Sequence, residues 1–446
     1  MTVGRAPGRA AAPRAASLIF QRRFLPLWLA QGLAQVAYSA LLFTLLIVVL
    51  KATGSSTQTS LLVLAFIAPT LLVGPLAGVM LDRWPKTRVL VVSNAARAGV
   101  CALLAILHQH VVAIYLLSLL FSAASLLFNP AVVALLPALV PRERLVDANS
   151  LYNLTITAGQ LLGMVILAPL VLKLAGVRGE EAMFATGAAM FGAAAVLSLL
   201  VPGEGDSEGP APHLAAMPRE MRSALAALRR DRQAALAMVH LVTGNTLVLL
   251  FATLIPRYME DILGISPDNA AFVFAPTGLG ALLGLRVLPW LALRLGRQRL
   301  VPVGLAGIGV CLVGLALVQP LASFMARASG PLNPEHLLGL SLLQFLTMAL
   351  AGPLGFSYAL LNAPAQTVLH ERAPPHMRGR IFAVQAVLAS SFSLLPVLFI
   401  GGLTDILDSL AAVPGITIVL LLIAAAVGAL AVASWPEGSR GRQTTP

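Results

Sequence analysis

The sequence predicts an all-α polytopic membrane protein: twelve transmembrane helices in two pseudo-symmetric six-helix bundles. Three observations predict it. The 446-residue chain is 58% apolar and only 11% charged, with a mean hydropathy of +0.88, whereas a soluble domain carries about 25% charged residues. Apolar runs of the length a bilayer requires, about 20 residues, recur twelve times between short polar intervals. The two halves also share a motif. Pro130, Ala131, Pro141 and Arg144 meet Pro364, Ala365, Pro375 and Arg378, each pair 234 residues apart. Six-helix repeats related by an axis along the membrane normal are one known way to build a transporter.

The spans are expected at 24–50, 60–81, 88–107, 111–139, 149–173, 182–201, 233–256, 269–292, 300–320, 337–361, 381–405 and 413–435. The first is too long for the apolar region of a cleaved signal peptide. Only His108-Gln109-His110 separates the third from the fourth, which predicts a tight turn. Two histidines at i, i+2 invite a metal reading; solvated turn residues are the plainer one. The longest polar interval, 202–232, opens Gly-Glu-Gly-Asp-Ser-Glu-Gly-Pro, a flexible linker composition. From Met217 to Arg232 it alternates Ala and Leu with Arg at helical spacing, which predicts an amphipathic helix on the membrane surface. The domains expected are a tail at 1–23, a bundle at 24–201, the linker at 202–232, a second bundle at 233–435 and a tail at 436–446.

The net charge of +12 would suggest nucleic acid in a soluble protein. Here the cations are dispersed between apolar runs, so no nucleic-acid partner is expected. They fall mostly on one side: Arg5, Arg9, Arg14, Arg22 and Arg23, then Arg83, Lys86 and Arg88, then the linker arginines, Arg294, Arg297 and Arg299, and the C-terminal pair Arg440 and Arg442. The positive-inside rule places that side, with both termini and the linker, in the cytoplasm. Cys101 and Cys311 lie inside apolar runs far apart, so neither a disulfide nor a metal site is indicated.

The polar residues at span ends carry the next signal. Gly74-Pro-Leu-Ala-Gly78-Val-Met-Leu-Asp82-Arg83-Trp-Pro-Lys86-Thr-Arg88 closes the second run and opens the third. Gly74 and Gly78 share a helix face where another backbone can come close, and an acid and three cations follow at the water boundary. This run resembles the loop between the second and third helices of the major facilitator superfamily, G-x-x-x-D-R-x-G-R-x. Gly78, Asp82 and Arg83 match; Pro85 stands for Gly and Lys86 for Arg. The resemblance implies that Asp82 latches the cytoplasmic ends of the halves in the outward-open state. The run from Phe128 to Leu151 and its counterpart from Val368 to Ala383 are similar to the exporter branch that includes macrolide-efflux proteins and the enterobactin exporter. The interval after the eighth span, with Gly280-xxx-Gly284 and then Arg294 to Arg299, echoes the first loop without its aspartate.

Polar side chains inside spans are expensive in lipid and default to functional candidates. Gln31, Gln35 and Tyr38 share one face of the first span. The resemblance implies that the first, fourth, seventh and tenth helices line a central cavity, so these three, Asn245 and Thr246 in the seventh, and Gln344, Tyr358 and Asn362 in the tenth are cavity candidates. Interhelical hydrogen bonding is the competing reading for each. Arg97 and Arg286 are charges inside spans and need partners: carbonyls, amides, a loop acid such as Asp82, or a substrate anion. No carboxylate lies mid-span; His240 and Asp405 are the titratable candidates near span ends. Gly159-xxx-Gly163 in the fifth lacks the Gly-Pro pair of the antiporter signature.

The function expected from the resemblance is secondary export of a hydrophobic or amphipathic small molecule, of drug, macrolide or siderophore type. It implies alternating access coupled to an ion gradient, protons in this family, with no bound cofactor. Expected partners are the substrate and membrane lipid, around a monomer in a bacterial inner membrane. An importer, a lysophospholipid-type flippase and a non-transporting sensor share the fold and stay open. A polytopic enzyme would need converging His, Asp, Glu or Cys within the spans, and none converge. No phosphate-binding G-x-x-x-x-G-K-[ST] loop is present for ATP-driven pumping.

Overall fold

A computed structural model describes residues 21–72, 84–141, 144–202, 226, 230–328, 340–372, 378–410 and 413–435. Backbone N–H and C=O groups in hydrocarbon must be satisfied within their own segment, which dictates helices here. Among the described residues, eleven helices are long and apolar enough to cross a membrane. The shorter apolar helix Ser56–Leu72 stands at the second position. The tails, Gly74, Gly78, Asp82, Arg83 and nearly all of the linker, with its expected amphipathic helix, lie outside the described residues.

Most spans outrun their apolar stretches. The first, Leu25–Thr53, stops at Gly54, whose φ of 63° permits the left-handed cap, its N–H bonding the Leu50 carbonyl. The second starts at Ser56 rather than 60, directly after that turn. The seventh, Arg232–Asp261, continues past 256 because Arg257 pairs with Asp261 one turn on. The tenth runs Leu342–Arg372, beginning later than 337 and passing through Pro364 well beyond 361. The eleventh, Arg378–Leu410, carries Asp405 within it rather than at its end. The ninth, Arg297–Ala316, ends short of 320, and a separate helix, Val318–Ala328, follows. The third, sixth, eighth and twelfth are Lys86–Leu107, Gly179–Leu199, Ala270–Leu295 and Gly415–Ala433.

Two spans are broken. The fourth comprises Val111–Ser125 and Phe128–Leu139. Pro130 falls in the first turn of the second piece, where a missing N–H costs nothing. Its counterpart Pro364 lies in an uninterrupted helix, so the shared motif serves two local geometries. The fifth, expected from 149, begins at Leu145 and passes through a π-helical turn, Leu162–Leu167, before Ala168–Leu174.

Neighbour relations repeat after six spans. The second packs on the fourth as the eighth does on the tenth, the third on the sixth as the ninth on the twelfth, and the first on the fifth as the seventh on the eleventh. The main seam between the halves runs between the second and eleventh. We call the end where the first span finishes the distal end, and the opposite one the terminal end.

Candidate functional site

The first span is apolar almost throughout and nearly all of its distal half is buried, so its few polar groups are placed by packing. Gln31 is 2% exposed, and neither amide atom has a hydrogen-bond partner. It borders a cavity of about 10 Å³ with Phe24, Leu27, Trp28, Val132, Leu136 and Tyr152. Trp28 fixes one wall, its Nε1 donating to Thr155 Oγ1 at 2.8 Å. Gln35 lies half-buried against Gly159 of the fifth span, and Gly163 packs on the backbone of Val36. The Gly159-xxx-Gly163 pair is thus a close approach between the first and fifth helices. Tyr38 turns elsewhere: it stacks on Phe121 at 5.8 Å and meets Phe66 edge-on at 6.2 Å. One helical face in the sequence therefore divides between two neighbourhoods.

In the second bundle, Asn245 Nδ2 donates to Ser393 Oγ at 3.3 Å, and Thr246 Oγ1 lies 2.8 Å from the same hydroxyl. Ser393 joins the seventh span to the eleventh, and nothing in an apolar run marked it out. Asn362 Nδ2 donates to the Tyr358 hydroxyl at 2.7 Å, and the Tyr358 ring packs beside Gly244. Gln344 bonds at its own helix start. Its Oε1 accepts from Ser341 N and its own N–H donates to Ser341 Oγ, both at 3.2 Å. That reciprocal pair is a capping box, so Gln344 holds the distal start of the tenth helix. The Ser341-x-x-Gln344 spacing was the available signal.

Arg97 is 2% exposed inside the first bundle. Its Nε donates to the Ser93 carbonyl at 3.3 Å and its Nη2 to Asn94 Oδ1 at 2.7 Å. Asn94 in turn donates to Ser198 Oγ on the sixth span. The guanidinium carbon lies 4.1 Å from the Phe128 ring centre and 4.8 Å from that of Phe191. Rings, a carbonyl and an amide replace the carboxylate. A lysine could not stack flat or keep both bonds. Arg97→Lys is expected to destabilise the first bundle by about 2 kcal/mol, the worth of a desolvated cation–π contact. A lowered thermal midpoint in detergent would show it; an unchanged one would mean that the rings contribute nothing.

Arg286, the other charge within a span, lies in the eighth helix and is placed differently from Arg97. It is exposed, on the stripe of Leu279, Leu283, Trp290 and Leu293. Of the loop residues, Lys86 opens the third helix and Arg88 is exposed. His240 Nε2 lies 2.8 Å from Ser434 Oγ, tying the seventh span to the twelfth. Among the described residues, no group of three or more His, Cys, Asp or Glu is placed to hold a metal ion.

Among the described residues, a dense polar constellation lies at the distal end. Asp405 accepts from Ser55 Oγ at 2.8 Å, Ser56 N at 3.1 Å, Thr57 N at 3.0 Å and Thr57 Oγ1 at 2.7 Å, all in the other bundle. Arg257 donates to the Gly54 carbonyl at 2.8 Å, to Asp408 at 2.9 Å and to Asp261 at 2.5 Å. Asp405 stands out in the sequence as titratable, but its partners lie about 350 residues away in the other bundle, and the Gly54 carbonyl that Arg257 takes lies 203 residues from it.

A sequence model of the Major Facilitator Superfamily matches residues 27–396, most of the chain that builds this arrangement. The chain belongs to that superfamily. Superfamily relatives include the uncharacterized MFS-type transporter YfiS of Bacillus subtilis (strain 168), 25% identical over 346 residues, 75% of each chain. Another is the enterobactin exporter EntS of Shigella boydii serotype 18, 28% identical over 377 residues, 83% of this chain and 81% of that one. Among solved structures, a mutant of the nucleoside transporter NupG superposes with a TM-score of 0.71 at 13% identity, covering 92% of this chain and 98% of that one. A bacterial homologue of the human lysosomal transporter Spinster, inward-facing and unoccupied, gives 0.68 at 13% identity over 96% of both chains. At such identity the structures speak for the fold alone. A transporter of the superfamily, not an enzyme, is what these findings show, and its substrate is a small molecule.

Proposed function

We propose that the protein is a secondary active exporter of hydrophobic or amphipathic small molecules, working by alternating access and driven by a proton gradient. The observation that supports the access mechanism is the joining of the halves at the distal end: among the described residues, hydrogen bonds between them gather there, around Asp405 and Arg257. With the cationic terminal end in the cytoplasm, that arrangement is an inward-facing state, closed to the outside. Export is favoured by the exporter relative at 28% identity. A monomer in a bacterial inner membrane, surrounded by lipid, completes the reading.

The test is flux in proteoliposomes under an imposed pH gradient, over a panel of macrolides, catecholate siderophores and lipophilic amines. At least one compound is expected to move against its gradient only while the pH gradient lasts. Equal retention of every compound with and without protein would overturn export. Movement that ignores the pH gradient would overturn proton coupling alone.

A further inference from the structure

The first and second spans meet in a two-residue turn, Gly54-Ser55, between Thr53 and Ser56. Such a turn leaves unpaired carbonyls at the end of one helix and unpaired N–H groups at the start of the next. The second bundle receives each with the matching charge. Ser55 caps the second span from within, its Oγ accepting from the Gln58 N–H at 3.4 Å, and the Asp405 carboxylate extends that cap, accepting the Ser56 and Thr57 N–H groups and two hydroxyls beside them. The Arg257 guanidinium takes the Gly54 carbonyl, where the first span finishes. An anion at a helix start and a cation at a helix finish both lie favourably in the helix dipole. Asp261 and Asp408 hold Arg257 from two sides, and Asp408 is itself anchored by the Gly415 N–H. Lys51 and Glu180 of the first bundle pair with each other, and the Lys51 charge also acts on Glu260 of the second. To Asp405 and Arg257 themselves the first bundle offers backbone and hydroxyls.

The seam just inside the latch is built to part. Gly401, one turn before Asp405, lets the eleventh helix approach so closely that a Cβ would strike the Ser56 carbonyl and Ser60 Oγ. Ser56 Oγ and Ser60 Oγ are buried there without partners, an unfavourable burial that water would relieve on opening.

We propose that Asp405 and Arg257 are positioning residues of the transport cycle: by capping the facing ends of the first and second spans they hold the distal side shut and set the balance between access states. The proposal rests on the alternating-access reading above. Water replaces the lost partners when the seam opens, so the net worth of the latch is far below its gross bond energy. That suits a contact broken once per cycle.

The experiment measures two distances by paired spin labels in the full-length protein. One pair, at Val177 and Val413, spans the distal end; the other, at Leu200 and Leu293, spans the terminal end. All four residues are exposed, and both native cysteines are buried. The variants are Asp405→Ala, and Ser55→Ala with Thr57→Ala, which weakens the latch from the opposite bundle. Gly401→Leu serves as a steric control. Each latch variant is expected to raise the ratio of distal-open to distal-closed molecules about tenfold, equivalent to about 1.4 kcal/mol, while the terminal pair shortens; Asp405→Glu is expected to recover part of the closed population. The proposal is overturned if both latch variants match the wild type while Gly401→Leu opens the distal pair. It is equally overturned if both pairs lengthen together, which is loosening of the fold. If Gly401→Leu moves neither pair, the alternating-access reading falls, and the latch with it.

Discussion

Gly355→Leu is expected to abolish recovery of folded protein. The eighth and tenth spans touch backbone to backbone. A Cβ on Gly355 would overlap the carbonyl of Thr277, and one on Gly280 that of Gly352. A Cβ on Gly284 would come within 2.8 Å of the Ala359 Cβ and 2.9 Å of the Phe356 carbonyl oxygen. No rotamer change relieves a clash with a main chain, so the two helices must separate. In lipid they have little reason to reassociate, because tails are as apolar as the side chains and helix pairing depends on packing. One surplus methylene in a packed core costs about 1–3 kcal/mol, and leucine adds four carbons. Size-exclusion chromatography after solubilisation should show an aggregate in place of the wild-type peak. Gly99→Leu and Gly192→Leu are controls: no atom lies within 4 Å of either Cβ position, and both should elute normally. A normal peak for Gly355→Leu would mean that the approach is looser than described.

That seam was half legible. Gly280-xxx-Gly284 stood out by spacing, but the partners Gly352 and Gly355 did not, since which helix faces which is a matter of topology rather than periodicity. The spans themselves were read almost completely, because each must supply about 20 apolar residues. Their ends were not. Asp405 and Arg257 looked like the close of an apolar run, yet the helices continue through them. A helix start in the other bundle satisfies Asp405, and for Arg257 a helix finish there and Asp408 join Asp261 one turn on. Asn362 and Pro364 likewise marked an end that is not there, the asparagine bonding Tyr358 one turn back. Hydropathy registers polarity but not its remedy. The same blindness hid the partner of Gln344, a cavity candidate, although it lay three residues away in Ser341.

Gly401→Leu is expected to leave folding intact and to stop transport. As at Gly355, a backbone carbonyl presses against the missing Cβ, here with the Ser60 hydroxyl beside it, but its place in the architecture differs. Gly355 lies inside one bundle, whereas Gly401 faces Ser56 and Ser60 across the seam between bundles. If that seam opens in every cycle, a bulky side chain there disfavours only the distal-closed state and leaves both bundles whole. Overpacking of about 3 kcal/mol would cut the closed population about a hundredfold, since each 1.4 kcal/mol is a factor of ten. The cycle must pass through that state, so flux should fall by a comparable factor with the elution profile unchanged. The adjacent residue supplies the contrast: the Cβ of Gly402 would meet nothing closer than Thr57 Oγ1 at 3.8 Å, and Gly402→Leu should retain most flux. Wild-type flux in Gly401→Leu would mean that the second and eleventh spans never close this tightly during transport. Aggregation would instead make the seam a fixed part of the fold, and the latch at Asp405 a structural cap rather than a gate.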